Sequence, residues 1–198
     1  DGETLSLSAL GSDGDSLYVF GGKGSYGYSG ESGDAGGEVK TVFRVDLEAG
    51  TAVEVGEMVR ERHNAHVAYH YGVFLVSGGQ NTSAQEASSM GVERLRVLSE
   101  AETLPSPTGE MTEYPAGSLV NGAVRMSSLV TETGELAFSP AAVADGFMIV
   151  GARCDEDKGV ADTYTVSVED GALPQTYGKL ASDQRLLAPA ALAYDGKL

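Results

Sequence analysis

Ser8-Ala9-Leu10-Gly11-Ser12-Asp13-Gly14-Asp15-Ser16-Leu17-Tyr18-Val19-Phe20-Gly21-Gly22 decides the reading of this chain. A small apolar run leads to an Asp-Gly turn signal, and a β-branched and aromatic run then closes on two glycines. Asp-Gly between such runs predicts a β-hairpin, because a type I′ turn needs positive φ at both central residues. The pattern recurs at Ala65-His66-Val67-Ala68-Tyr69-His70-Tyr71-Gly72-Val73-Phe74-Leu75-Val76-Ser77-Gly78-Gly79, with Tyr71-Gly72 as a weaker turn signal. It recurs again from Pro140 through Asp145-Gly146 to Gly151-Ala152, and begins once more at Pro189–Leu198.

Each hairpin is followed by further strand signals. Thr41–Leu47 alternates with period two and turns at Glu48-Ala49-Gly50. Val92–Leu98 and Thr163–Val168 hold the same place in the next two units; the helical reading of Arg94–Glu100 yields to its position in the repeat. Fourth strands are expected at Thr51–Val55 and Pro174–Tyr177. The expectation is an all-β chain of four-stranded antiparallel units, at about 5–62, 63–138 with an insertion at 99–138, and 139–187, with a further unit starting at 188–198.

A hairpin ending in Gly-Gly, a third and a fourth strand, and an Arg-bearing entry to the next hairpin together resemble the kelch repeat. The resemblance is strongest at Asp13–Gly22 and Arg62–Gly79 and covers most of the chain. It departs from the pattern in having no Trp in the fourth strands, in Gly151-Ala152, and in residues 99–138. It implies a segment of about three to four blades of a kelch-type β-propeller, with the first strand of each blade lining a central channel. Propellers close with roughly four to eight blades. The remaining blades are therefore expected from the rest of a longer chain or from a second chain.

Composition bounds the partners. Among 198 residues, 13 Lys and Arg stand against 29 Asp and Glu, a net charge of −16, which opposes binding to nucleic acid or to an anionic membrane surface. No apolar run reaches the roughly 18 residues of a membrane helix, so membrane insertion is not expected. The single Cys154 leaves no intrachain disulfide framework. Its neighbours Asp155, Glu156 and Asp157 disfavour a reactive thiolate. Few lysines with many Gly, Ser and acidic residues fit an extracellular or cell-surface protein.

In a four-stranded meander the loops after the second strands and those between units share one end. That end would gather Lys23–Glu38, with Tyr26 and Tyr28 among glycines, and Arg60, Arg62 and His63. Gln80–Ser83, with Asn81, and Arg153–Asp157 would join them. Flat aromatic area and directed donors suit Tyr26, Tyr28, Arg60, Arg62, His63, Asn81 and Arg153 to ligand binding. Asp155 and Asp157 are weak Ca²⁺ candidates, since the full calcium-loop pattern is absent. His63, His66 and His70 could bind zinc on a helix, but the strand reading divides them. Asn81-Thr82-Ser83 is a glycosylation sequon.

The functional expectation is a non-catalytic binding module that recognises a protein or a glycan through this loop end, with no cofactor and no metal. The alternative is a sugar-processing enzyme resembling sialic acid epimerases, with its site at the channel mouth. A copper oxidase of the galactose oxidase type would need a Tyr–Cys cross-link that the lone cysteine in an acidic loop does not suit.

Overall fold

A computed structural model describes residues 5–24, 37–80, 92–106, 109–121, 136–143, 146–153, 162–167 and 175–179. Every regular element among them is a β-strand. The first meander begins with β1 (Leu5–Ser6) and β2 (Ala9–Ser12), which pair with the same strand, β3 (Leu17–Gly24). Leu7, at φ 58, breaks the run between them. Next come β4 (Glu38–Asp46) and β5 (Thr51–Glu57).

The second meander is β6 (His63–His70), β7 (Val73–Gln80), β8 (Val92–Val97) and β11 (Leu119–Asn121). A separate hairpin, β9 (Glu102–Pro105) with β10 (Met111–Tyr114), is inserted between its third and fourth strands. The third unit is a four-stranded sheet of its own: β12 (Leu136–Val143), β13 (Gly146–Arg153), β14 (Asp162–Ser167) and β15 (Gln175–Lys179). The strand expected at Val92–Leu98 is present as β8, in place of the helical reading of Arg94–Glu100, and the stretch 99–138 holds the β9–β10 hairpin and the fourth strand of the second unit.

The turns invert the expectation from the sequence. Tyr71 and Gly72 link paired residues His70 and Val73 with φ of 43 and 79, which is the type I′ requirement met at the weaker signal. The Asp13-Gly14 hairpin closes instead from Ser12 to Leu17 over four residues, and only Gly14 there has positive φ, 101. The cause is Asp13 itself. Its Oδ1 accepts from the backbone N–H groups of Asp15 and Ser16 at 3.0 and 2.7 Å, a local bond that widens the loop. Its Oδ2 accepts from the Tyr18 hydroxyl at 2.8 Å.

Alternation along β3 turns Tyr18 and Phe20 inward. They meet Phe74 from β7 at ring separations of 4.8 and 5.1 Å, and Tyr69 meets Phe74 at 4.8 Å. Ala9, Val42, Met58, Val76, Leu95 and Leu119 complete a core shared by the first two meanders. The two meanders touch along both edges. On one, β5 and β11 make a single parallel bridge, Gly56 to Leu119. On the other, β2 and β6 lie side by side. Gly11 permits this approach, since a Cβ there would come within 2.9 Å of Val67 and 3.1 Å of Phe20 and Phe74. The nine-stranded sheet is thus a nearly closed, barrel-like wall around the aromatic core, and β12 runs beside β6 and β7.

Candidate binding face

The end of the sheet opposite the Asp13–Ser16 and Tyr71-Gly72 turns is organised by the linker from β5 to β6. Its backbone is pinned on both sides. Met58 N–H donates to Lys40 O at 2.8 Å and Arg62 N–H to Val39 O at 3.3 Å, while Arg62 O accepts from Gly22 N–H at 2.8 Å. Those bonds join the linker to the first meander.

The Arg62 side chain joins it to the second. Nη1 donates to Gly78 O at 2.8 Å, and Nη2 is bonded to Glu93 Oε1. Glu93 accepts in addition from the backbone N–H groups of Val59 and Arg60, at 2.6 and 3.2 Å. One carboxylate therefore neutralises the guanidinium and also caps two linker amides that strand geometry leaves without a ladder partner. Burial pulls the guanidinium's pKa down, and the adjacent Glu93 charge opposes that shift.

This clasp explains the paired glycines. Gly21 and Gly22 have φ of 55 and 115, and Gly78 and Gly79 have 65 and 91. Both pairs lie in left-handed backbone that side chains rarely adopt. Space is short as well: a Cβ on Gly21 would collide with Arg62 O and come within 2.7 Å of Met58 Cε. A Cβ on Gly79 would lie 2.9 Å from His63 O.

His63 follows the clasp and is also enclosed. Its Nδ1 is 3.3 Å from Glu38 Oε1, with both side chains nearly buried. Asn64, at φ 54, then interrupts the alternation of β6, and its N–H donates to Leu7 O at 2.8 Å. His66 is half-buried, and burial lowers its pKa. Among the described residues no group of three or more His, Cys, Asp or Glu is placed to hold a metal ion.

The sequence-predicted site residues separate into groups. Arg62 has 0 % exposure, so its guanidinium is committed to Glu93 and Gly78 and does not face a ligand. His63 is buried against Glu38. Arg60 is exposed, on backbone that Glu93 holds in place, and exposed Val59 and Glu61 flank it. Arg153 ends β13. Tyr26, Tyr28, Asn81, Asp155 and Asp157 lie outside the described residues. Glu93 and Glu38 were missed by the sequence reading. The signal in the sequence was an acid, Glu93, in a strand whose place in the repeat puts it in the interior, because a buried carboxylate demands a cation.

The other end of the first meander carries an open depression of about 460 Å³ bordered by Asp15, Ser16, Arg44, Asp46 and Thr51. No protein-family model and no curated protein matches the chain. The architecture, all-β with a nearly closed sheet, is compatible with a β-propeller-like fold.

Proposed function

We propose that this chain is a segment of a kelch-type β-propeller, secreted or displayed at the cell surface, that works as a binding module for a protein or glycan. One observation carries the reading. Two successive four-stranded meanders end their second strands in left-handed Gly-Gly pairs, and the linker arginine between the meanders bonds to both pairs. Gly-Gly strand endings and an Arg-bearing entry to the next hairpin are the features on which the kelch resemblance rests.

On this reading Arg62 sets the angle between blades, and Arg60 is the linker residue that reaches a ligand. Tyr26 and Tyr28, which follow β3 in sequence, and Asn81, which follows β7, supply the remaining contacts. A rigid scaffold presenting long loops is the usual seat of recognition.

The test pairs a glycan array with a turnover assay on sialic acids and simple sugars. Retention of a ligand without turnover, lost in the double variant Tyr28→Ala with Arg60→Ala, is the expected result. Turnover of any of these sugars overturns the binding-module reading in favour of an enzyme.

A further inference from the structure

The β9–β10 hairpin leaves the second meander at the end opposite the Arg62 clasp, beyond Val97, whose N–H donates to the Gly72 carbonyl of the β6–β7 turn. It stands off the main sheet as a two-stranded ribbon. Arg96 holds its base, with Nη1 and Nη2 donating to Glu102 Oε1 and Oε2 at 2.7 and 2.9 Å.

The register fixes which backbone groups point outward. Ser106 N–H donates to Glu110 O at 2.7 Å, so that pair is hydrogen-bonded. The next pair, Pro105 with Met111, is then non-bonded; Leu104 with Thr112 is bonded; and Thr103 with Glu113 is non-bonded. In non-bonded pairs the N–H and C=O groups face away from the partner strand. The outer edge of β9 is thus blunted by Pro105, which has no N–H. The outer edge of β10 offers both groups of Met111 and both groups of Glu113. Met111 is 66 % exposed, and Thr112 and Glu113 are exposed too, so this edge is open to solvent.

We propose that β10 is a docking edge for an extended, basic peptide segment of another protein, which adds as a third strand through Met111 and Glu113. Three features favour that occupant. A two-stranded ribbon is marginal alone, and a third strand completes a stable sheet. Strand addition to a free edge is an established mode of peptide capture. Besides Glu102, which Arg96 neutralises, residues 99–117 carry Glu100, Glu110 and Glu113 and no Lys or Arg, which selects a cationic strand. The same charge, with −16 on the whole chain, disfavours a second copy. The edge is remote from the Arg60 end, so this inference and the loop-end binding reading stand or fall separately.

The test uses the full chain and two fluorescent heptapeptides, one alternating lysine with valine and one alternating lysine with proline. Charge is equal, but the proline peptide cannot form a strand. The valine peptide is expected to bind about tenfold or more tighter, and to slow amide exchange at Glu113 by a similar factor. Met111→Pro is expected to cut its affinity about tenfold while the Leu104 and Thr112 amides stay protected. Glu110→Gln with Glu113→Gln keeps every backbone group and is expected to weaken binding and flatten its salt dependence. Equal binding of the two peptides, no binding of either, no protection at Glu113, or full affinity in both variants overturns the proposal.

Discussion

The guanidinium of Arg62 and the carboxylate of Glu93, 31 residues apart in sequence, form an enclosed ion pair at the seam between two meanders, with side-chain exposures of 0 % and 8 %. Taking two charges out of water is expensive, and further hydrogen bonds to both side chains offset part of that cost. Gly78 O takes one Arg62 donor, and the Val59 and Arg60 amides take the Glu93 oxygens.

Removing one partner strands the other charge. Arg62→Leu is expected to cost about 3–5 kcal/mol in urea unfolding. Arg62→Lys restores only part of this, because an ammonium lacks the planar fork that serves Glu93 and Gly78 together. Equal stability of the lysine variant and the wild type would refute the clasp.

Glycine 21 is the test of close approach. Its positive φ and the Arg62 carbonyl above it act together, so Gly21→Ala is expected to destabilise by about 3 kcal/mol or more. Gly14→Ala, with φ 101 but nothing within 4 Å of the added carbon, carries only the backbone penalty of about 1 kcal/mol. Thermal or urea melts of the two variants should differ clearly; equal losses would show that the Arg62 carbonyl does not crowd position 21.

Tyr18 links a turn to the core. Burial, and after it the bond to Asp13, pushes its hydroxyl up to about 12. Burial also raises Asp13, but the bonds it accepts from Ser16, Tyr18 and Asp15 outweigh that and leave it below the ordinary carboxylate range. A folded pKa above the unfolded value, near 10 for tyrosine, means stability is intact below pH 10 and drains as pH climbs toward 12. Urea midpoints at pH 9 and pH 11 should therefore fall further for the wild type than for Tyr18→Phe.

His66 behaves in the opposite sense. Burial holds its folded pKa below 6.5, so the unfolded chain takes up the proton first on acidification. Stability is full above pH 6.5 and declines as pH drops through 6.5 toward the folded pKa, then levels off. Between pH 7.5 and 5 the wild type is expected to lose more stability than His66→Gln in parallel denaturant titrations.

Much of the strand order was legible because alternation and Gly-Gly endings are local signals. The hairpins around Tyr18, Phe74 and Gly146 needed nothing beyond their own residues. What escaped was non-local. The three-residue β11 is too short to show any period; it is a strand because Leu95–Val97 offers it an edge. Tyr71 outperformed Asp13 as a turn residue because the Asp13 carboxylate bonds its own loop, a competition that turn statistics do not resolve. Arg62 reads as a ligand contact from its residue type and its place at the loop end of the meander. Its enclosure depends on Glu93 arriving from a strand 31 residues later. Arg60, two positions earlier, looks equivalent in sequence and differs only in which way the pinned linker turns it.

The inserted hairpin leaves the ladder around it intact: Leu119, Val120 and Asn121 still pair with Val97, Arg96 and Leu95. The chain can therefore depart after β8 and return at β11 with cargo of its own between. That gives the seam between residues 98 and 119 the character of a socket. A foreign loop, reporter or affinity tag exchanged for the ribbon should leave the aromatic core folded, since none of the described residues between those positions contributes a side chain to it.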